Sequence, residues 1–181
     1  QYLRNVAERR SEEDYFAPRV FREGMNWLEQ NRDAEKFFLC LDVFDPHEPW
    51  DPPRYYTEMY DPGYTGKEVI LPMYGPPDYL TESELKHVRA LYAGEVTMVD
   101  RWLGIFLDRV EDLGLLEDTL VVFISDHGHP LGEHGLMKKV TSNLYPELLD
   151  IPFLIRHPGA GSRVKGFVQN QDLFPTVLGL M

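Results

Sequence analysis

A run of five apolar residues, Leu120 to Ile124, constrains the fold of this chain more than any other feature. Three of the five are β-branched, and the run ends abruptly at a Ser-Asp-His-Gly sequence, residues 125–128. Such a run is typical of a buried strand in a parallel sheet. Because open α/β sheets bind ligands at the carboxyl ends of their strands, the pattern predicts that Asp126 and His127 lie where chemistry is done. A solvated turn capped by Asp126 is the alternative that this segment alone leaves open.

Strands and helices alternate along the chain, and this order predicts an α/β fold with a largely parallel sheet flanked by helices. Ser11 with Asp14 and Thr81 with Glu84 have the spacing of capping boxes, which marks the start of two helices. The predicted elements are strands at 37–44, 120–125 and 151–155, and helices at 11–31, at 82–113 and from Asp172 onward with Pro175 in the first turn. Within these elements we expect Cys40 to be a small buried hydrophobe and His87 to be a solvated surface residue.

Residues 45–80 form a long segment that predicts no regular structure, since it contains eight prolines and three glycines. It also carries Trp50 and six tyrosines. A long loop with so much aromatic surface favours a pocket wall or a subunit contact, so an oligomer stays open. A loop packed on its own domain is the alternative.

Composition narrows the class of protein. A length of 181 residues suits one domain, and a net charge of −12 argues against nucleic-acid or anionic-membrane partners. No apolar stretch is long enough to span a membrane, and no signal peptide is recognisable. One cysteine rules out a disulfide within the chain, which slightly favours a reducing compartment such as the cytoplasm. The chain runs from Gln1 to Met181, inside a predicted helix, so we expect a piece of a longer protein.

Several ordered blocks of the chain resemble the sulfatase family of the alkaline phosphatase superfamily. The blocks cover residues 36–181 and include FFLCLDVFDPHEPWDPP, FISDHGHPLGEHGLMKK, LYPELLDIPFLIRHPG and VQNQDLFPTVLGL. The resemblance implies an alkaline-phosphatase-like α/β fold that is incomplete here. Residues 1–181 would be the central-to-late part of a sulfatase catalytic domain.

The resemblance also implies roles for individual residues. Asp126 and His127 match two ligands of a divalent cation, and an imidazole at the second position leaves Ca²⁺ or Mn²⁺ as the leading choices with Zn²⁺ open. Lys139 matches the lysine that contacts the sulfuryl or phosphoryl oxygens, although Gly-Lys is more usual where this chain has Lys138-Lys139. His47 matches the histidine that binds the ester or protonates its leaving oxygen.

The roles expected of the neighbouring residues are less specific. Asp45 and Glu48 are candidates to orient His47, and Lys138 is expected to be an ordinary solvated lysine. A rival picture is a self-contained zinc site, although the spacing of its candidates fits no recognised zinc template. The ligands of that rival site would be Asp126, His127, His129, Glu133 and His134.

The family nucleophile is a formylglycine made from Cys in a Cys-x-Pro-x-Arg context, and this chain has no such segment. The paired Asp residues that complete the family's metal site are also missing. We therefore expect part of a metal-dependent hydrolase of small anionic sulfate esters, with residues 1–181 inactive alone. Two alternatives stay open: a phosphonate or phosphate ester hydrolase of the same superfamily, and a non-catalytic fragment or paralogue that acts as a binding module.

Overall fold

The computed structural model describes Tyr2 and residues 6–139, 143–157, 161 and 163–180. Its helices and strands are, in chain order, α1 (Phe16–Asn31), α2 (Arg54–Thr57), α3 (Glu82–Asp112), β1 (Val121–Ile124), α4 (Pro146–Leu149), β2 (Phe153–Arg156) and α5 (Leu173–Leu180). Short 3-10 turns occupy Glu12–Asp14, Leu116–Asp118, Glu133–Gly135 and Asn170–Asp172. None of the described helices is both long and apolar enough to cross a bilayer.

Helices α1 and α3 pack together and form the main core. Ala17 and Phe21 of α1 contact Met98 and Trp102 of α3, and Tyr56 of α2 completes the cluster. The residues sit on one face of each helix, because apolar side chains recur at helical spacing in both. This helix pair is the support on which the loop at 45–80 rests.

Helix α3 begins and ends where the sequence predicts. Thr81 Oγ1 accepts a hydrogen bond from the Glu84 backbone N–H, and the Glu84 carboxylate accepts one from the Thr81 N–H at 2.8 Å. Gly114 follows the helix with φ +72°, a conformation that glycine adopts without strain. The prediction for His87 was wrong: it is 4% exposed, stacks on the Tyr64 ring and lies 3.0 Å from Asp61 Oδ2. The loop folds over α3 there and buries the imidazole, with Asp61 as the partner of Nδ1.

The sheet differs from the predicted one. Strands β1 and β2 pair antiparallel, with Val121 opposite Arg156 and Ile124 opposite Phe153. The largely parallel sheet is therefore not confirmed. A parallel pair needs a crossover of a dozen or more residues, usually a helix, whereas the described part of the connection from β1 to β2 holds one 3-10 turn and the four-residue α4.

Residues 37–44, predicted as a buried strand, are extended but pair with no strand in the described part of the chain. Leu41 and Val43 pack on the core of α1 and α3, while Phe38 on the other face is 84% exposed. Cys40 shares that exposed face, so the prediction that it is buried was wrong. Alternation along an extended chain explains the result, because successive side chains point to opposite faces.

Candidate active site

Asp126 and His127 form the turn that follows β1. The His127 backbone N–H donates to Asp126 Oδ1 at 2.8 Å, and its ring Nδ1 lies 2.7 Å from the Gly128 carbonyl oxygen. A carbonyl oxygen can only accept, so Nδ1 carries the proton and Nε2 keeps its lone pair. Asp126 Oδ2 lies 3.5 Å from that Nε2 atom. The turn therefore presents one carboxylate oxygen and one imidazole nitrogen side by side.

Gly128 lets this turn approach α4 closely. A Cβ atom at residue 128 would lie 2.1 Å from the Glu147 carbonyl oxygen, so only glycine fits. The Gly128 N–H donates to the Leu148 carbonyl oxygen at 2.8 Å. The position of Asp126 and His127 is thus fixed by backbone packing as well as by their own hydrogen bonds.

His47 lies on the segment 45–51, which is fastened to the two long helices at both ends. Asp45 Oδ2 accepts from the Ala17 N–H at 2.8 Å, in the first turn of α1, and the Asp51 N–H donates to Glu95 Oε1 of α3 at 3.0 Å. Burial raises the pKa of Asp45, and burial followed by the Asp45 charge raises the pKa of Glu95 well above its usual range. Asp45 therefore anchors the segment rather than orienting the His47 ring.

The His47 ring has the same tautomer as His127. Its Nδ1 lies 2.7 Å from the Glu48 carbonyl oxygen, which leaves the Nε2 lone pair free. Trp50, fully buried beneath the segment, donates its indole N–H to the Pro46 carbonyl oxygen at 2.9 Å. The segment thus holds the imidazole in one orientation.

Lys139 joins the two histidines. Its Nζ lies 2.9 Å from His127 Nε2 and 3.4 Å from His47 Nε2. The three predicted residues, separated by up to 92 positions, therefore meet at one point, and Asp126 borders it. Two imidazoles and one ammonium group at this point can bind an anion and exchange a proton with it.

Glu48 and Lys138 form a buried ion pair next to this point. Their side chains are each 3% exposed, and Glu48 Oε1 lies 2.7 Å from Lys138 Nζ. The prediction that Lys138 is solvated was therefore wrong. Burial acts to raise the pKa of Glu48, but the Lys138 hydrogen bond and nearby positive charge outweigh it and hold that pKa below its usual value. Glu48 Oε2 lies 3.5 Å from His47 Nδ1, and the hydrogen bond to that atom is made by the Glu48 carbonyl oxygen.

His129 is enclosed beside the ion pair. Its ring meets the Trp50 ring edge to face at 5.1 Å, and its Nε2 lies 3.7 Å from Glu48 Oε2. Burial lowers the pKa of His129 to about 4, against the opposing pull of the Glu48 charge. His129 is therefore a neutral packing residue at physiological pH and does not line the open site.

His134 and Glu133 have partners other than Asp126, His127, His47 and Lys139. His134 stacks on Tyr145 at 3.8 Å and its Nε2 lies 3.2 Å from Glu147 Oε2. Glu133 Oε2 accepts from the Leu131 N–H. Among the described residues no group of three or more His, Cys, Asp or Glu side chains could hold a metal, so the self-contained zinc site does not form.

Asp126 Oδ2 and His127 Nε2 nevertheless fit part of a metal site. Two ligands of one tetrahedral cation are about 3.4 Å apart when each metal bond is about 2.1 Å, and the observed separation is 3.5 Å. The remaining ligands would have to come from elsewhere. The donor set, one oxygen and one nitrogen, suits Mn²⁺ or Zn²⁺ and is compatible with Ca²⁺.

Comparison with known proteins gives the family of this chain. The family model described as Sulfatase matches residues 2–181. An arylsulfatase of Clostridium perfringens is 29% identical over 182 residues, covering 88% of this chain and 37% of that protein. The multifunctional alkaline phosphatase superfamily protein PehA of Trinickia caryophylli is 29% identical, with 82% and 35% covered.

The fold is also shared with a solved structure. The phosphonate monoester hydrolase of Agrobacterium radiobacter superposes with a TM-score of 0.76 at 25% identity, covering 95% of this chain and 40% of the other. The chain spans 37% and 35% of the length of the two curated relatives named above, just over a third. Since the family model covers nearly all of it, this chain belongs to the sulfatase family of the alkaline phosphatase superfamily.

Proposed function

We propose that residues 1–181 are part of the catalytic domain of a metal-dependent hydrolase that cleaves small anionic sulfate esters. The observation that carries the proposal is the meeting of His47 Nε2, His127 Nε2 and Lys139 Nζ beside Asp126. Each of these atoms faces a common point although the residues come from separate segments. A solvated turn gives no reason for two imidazole lone pairs to converge on one ammonium group.

Lys139 would bind the non-bridging oxygens of the ester. An ammonium group acts there as a fixed point charge, and its attraction grows as negative charge develops in the transition state. Without a cation, the same group lies 2.9 Å from His127 Nε2 and 3.4 Å from His47 Nε2; a cation on His127 Nε2 would take that lone pair and leave the Lys139 ammonium for the substrate oxygens and His47. Substrate oxygens would replace those nitrogens as its acceptors.

After taking up a proton at Nε2, the His47 ring would deliver that proton to the leaving oxygen and return to its neutral form. Its Nδ1 proton is held by the Glu48 carbonyl oxygen, so Nε2 is the atom free to exchange a proton with substrate. The Glu48 carboxylate, 3.5 Å from Nδ1, is placed to balance the charge of the protonated ring. This arrangement favours a general acid at the leaving-group side of the site.

Asp126 and His127 would hold a divalent cation, with Ca²⁺ or Mn²⁺ first and Zn²⁺ as a further choice. A cation bound there supplies Lewis-acid neutralisation of the ester oxygens. The chain's own contribution is to fix the two donors: Gly128 O orients the ring of His127, and the His127 N–H holds Asp126 Oδ1. We assign the remaining ligands and the nucleophile, a formylglycine or similar group, to the part of the relatives that this chain does not match.

A phosphonate or phosphate ester hydrolase is the second candidate. The observation that favours it is His127 itself, because an imidazole nitrogen suits Mn²⁺ or Zn²⁺ better than Ca²⁺, which prefers oxygen ligands. The fold match to a phosphonate monoester hydrolase points the same way. The two candidates share every residue role described above and differ in the metal and in the central atom of the substrate.

The test is hydrolysis by the full-length protein of 4-nitrophenyl sulfate and of a phenylphosphonate ester, after chelation and after return of Ca²⁺, Mn²⁺ or Zn²⁺. We expect metal-restored turnover of at least one ester, and the better substrate decides between the candidates. Residues 1–181 alone should remain at background, because they offer two metal ligands and no activated nucleophile. Full-length protein that hydrolyses neither ester with any of the three metals would support the binding-module alternative instead.

A further inference from the structure

Lys138 has an unusual backbone conformation for a lysine. Its φ is +67°, in the left-handed region, where a residue with a Cβ is strained. Glycine is the residue that adopts this conformation freely. Something in the surroundings must therefore favour lysine at this position.

The surroundings enclose the Lys138 side chain completely. Its ammonium lies 2.7 Å from Glu48 Oε1 and 4.2 Å from the centre of the Tyr74 ring, and the Tyr74 hydroxyl lies 3.3 Å from the same Glu48 oxygen. Removing one charge would leave the other buried and unpaired, which is strongly unfavourable. The pair thus ties residue 138 to the segment that carries His47.

The backbone on either side of Lys138 is also fastened. Met137 exchanges two hydrogen bonds with Gly75, at 2.8 and 3.1 Å, and the Lys138 N–H donates to the Pro130 carbonyl oxygen at 2.9 Å. With residue 138 in the left-handed conformation, the Lys139 side chain leaves the backbone in a different direction from the Lys138 side chain. Lys138 reaches the buried Glu48, while Lys139 reaches His127 Nε2 at 2.9 Å.

We infer that Glu48 and Lys138 form a positioning pair, which holds residue 138 in the left-handed conformation and so aims Lys139 at the two histidines. The inference rests on the proposed function for its effect on turnover. The ion pair favours at residue 138 the left-handed conformation that glycine would adopt without any partner. It also joins the segments that carry His47 and Lys139. Neither Glu48 nor Lys138 needs to touch substrate.

The experiment compares five forms of the full-length protein: wild type, Glu48→Gln, the double variants Glu48→Gln/Lys138→Gly and Glu48→Gln/Lys138→Ala, and the control Glu29→Gln. The control breaks the Arg109–Glu29 pair, 2.7 Å between α3 and α1, away from the site. We measure kcat and KM separately on whichever ester is turned over. Thermal unfolding then identifies temperatures at which every form is folded.

Glu48→Gln should lower kcat on the order of 100-fold, as expected for a shift of about 1 Å in a reacting group, with a smaller change in KM. Glycine keeps the left-handed backbone without a partner, so about tenfold of that loss should return in the Gly double variant, while the part that comes from the missing Glu48 charge beside His47 should remain. The Ala double variant should stay at least about tenfold below it. Glu29→Gln should match wild type.

Equal kcat in the Gly and Ala double variants would overturn the inference, and so would a Glu48→Gln variant that loses stability but turns over like wild type. If Glu48→Gln does not fold, the two double variants still decide, since neither buries an unpaired charge. If the protein hydrolyses neither ester, crystal structures of the double variants decide instead. In crystals grown without a divalent cation, Lys139 Nζ should stay within about 3.5 Å of His127 Nε2 in the Gly form and move away in the Ala form.

Discussion

Met137 joins the core to the site, and shortening it should destabilise the chain strongly. The side chain is 0% exposed and packs with Trp50, Val88 and Leu91. Changing Met137 to Ala removes three heavy atoms, for which the lost transfer free energy is about 2 kcal/mol. The cavity left under Lys138 adds to this, so we expect a loss of about 3 kcal/mol within the usual range of 2–5 kcal/mol.

Urea unfolding, followed by tryptophan fluorescence and circular dichroism, measures this loss. Met59→Ala is the matched control, because Met59 is 63% exposed and its truncation should change the free energy of unfolding by less than about 0.5 kcal/mol. Similar losses in the two variants would refute the reasoning that Met137 packs in a core beneath the lysines. So would a Met137→Ala variant as stable as wild type.

Three further changes test other parts of the molecule. The raised pKa of Glu95 stabilises the folded wild type fully below the unfolded-state pKa near 4.3, and this stabilisation is lost as the pH rises through the folded-state pKa. Glu95→Gln should therefore remove this loss of stability at high pH. Urea unfolding from pH 4 to 9 checks this, with the exposed Asp100→Asn as control. Thr81→Ala should cost about 1 kcal/mol of unfolding free energy in the same assay, since it deletes the α3 cap. Lys139→Ala should weaken transition-state binding by about 2–4 kcal/mol, measured as the fall in kcat/KM of the full-length protein. Unchanged kinetics would exclude the oxygen-binding role of Lys139.

The helices were predictable because their signals are local. A capping box and apolar spacing define α3, and apolar spacing defines α1. The predicted start of α1 was wrong, because the Ser11–Asp14 capping box begins the 3-10 turn Glu12–Asp14 and the helix begins at Phe16. The strands were less predictable, because an apolar run shows that a segment can be buried and not which segment pairs with it. Residues 37–44 illustrate this: their alternation is real, yet one face, with Phe38 and Cys40, is exposed.

The candidate site was predicted from motifs, and its supporting residues were only partly found. Glu48 was a candidate because it is next to His47, but the sequence did not indicate its ion pair with Lys138. Lys138 read as a solvated lysine because sequence does not reveal a positive φ or a carboxylate ninety positions away. His87 was misjudged for the same reason, since Tyr64 and Asp61 reach it only through the fold of the loop.

The most direct test of the proposed site is a crystal structure of the full-length protein with Mn²⁺ and a bound sulfate or a non-hydrolysable ester. We predict a cation within about 2.0–2.6 Å of an Asp126 carboxylate oxygen and of His127 Nε2. Oxygens of the anion should lie within about 3.2 Å of Lys139 Nζ and His47 Nε2. A cation held by His134 and Glu147, or an anion bound away from Lys139, would contradict the account.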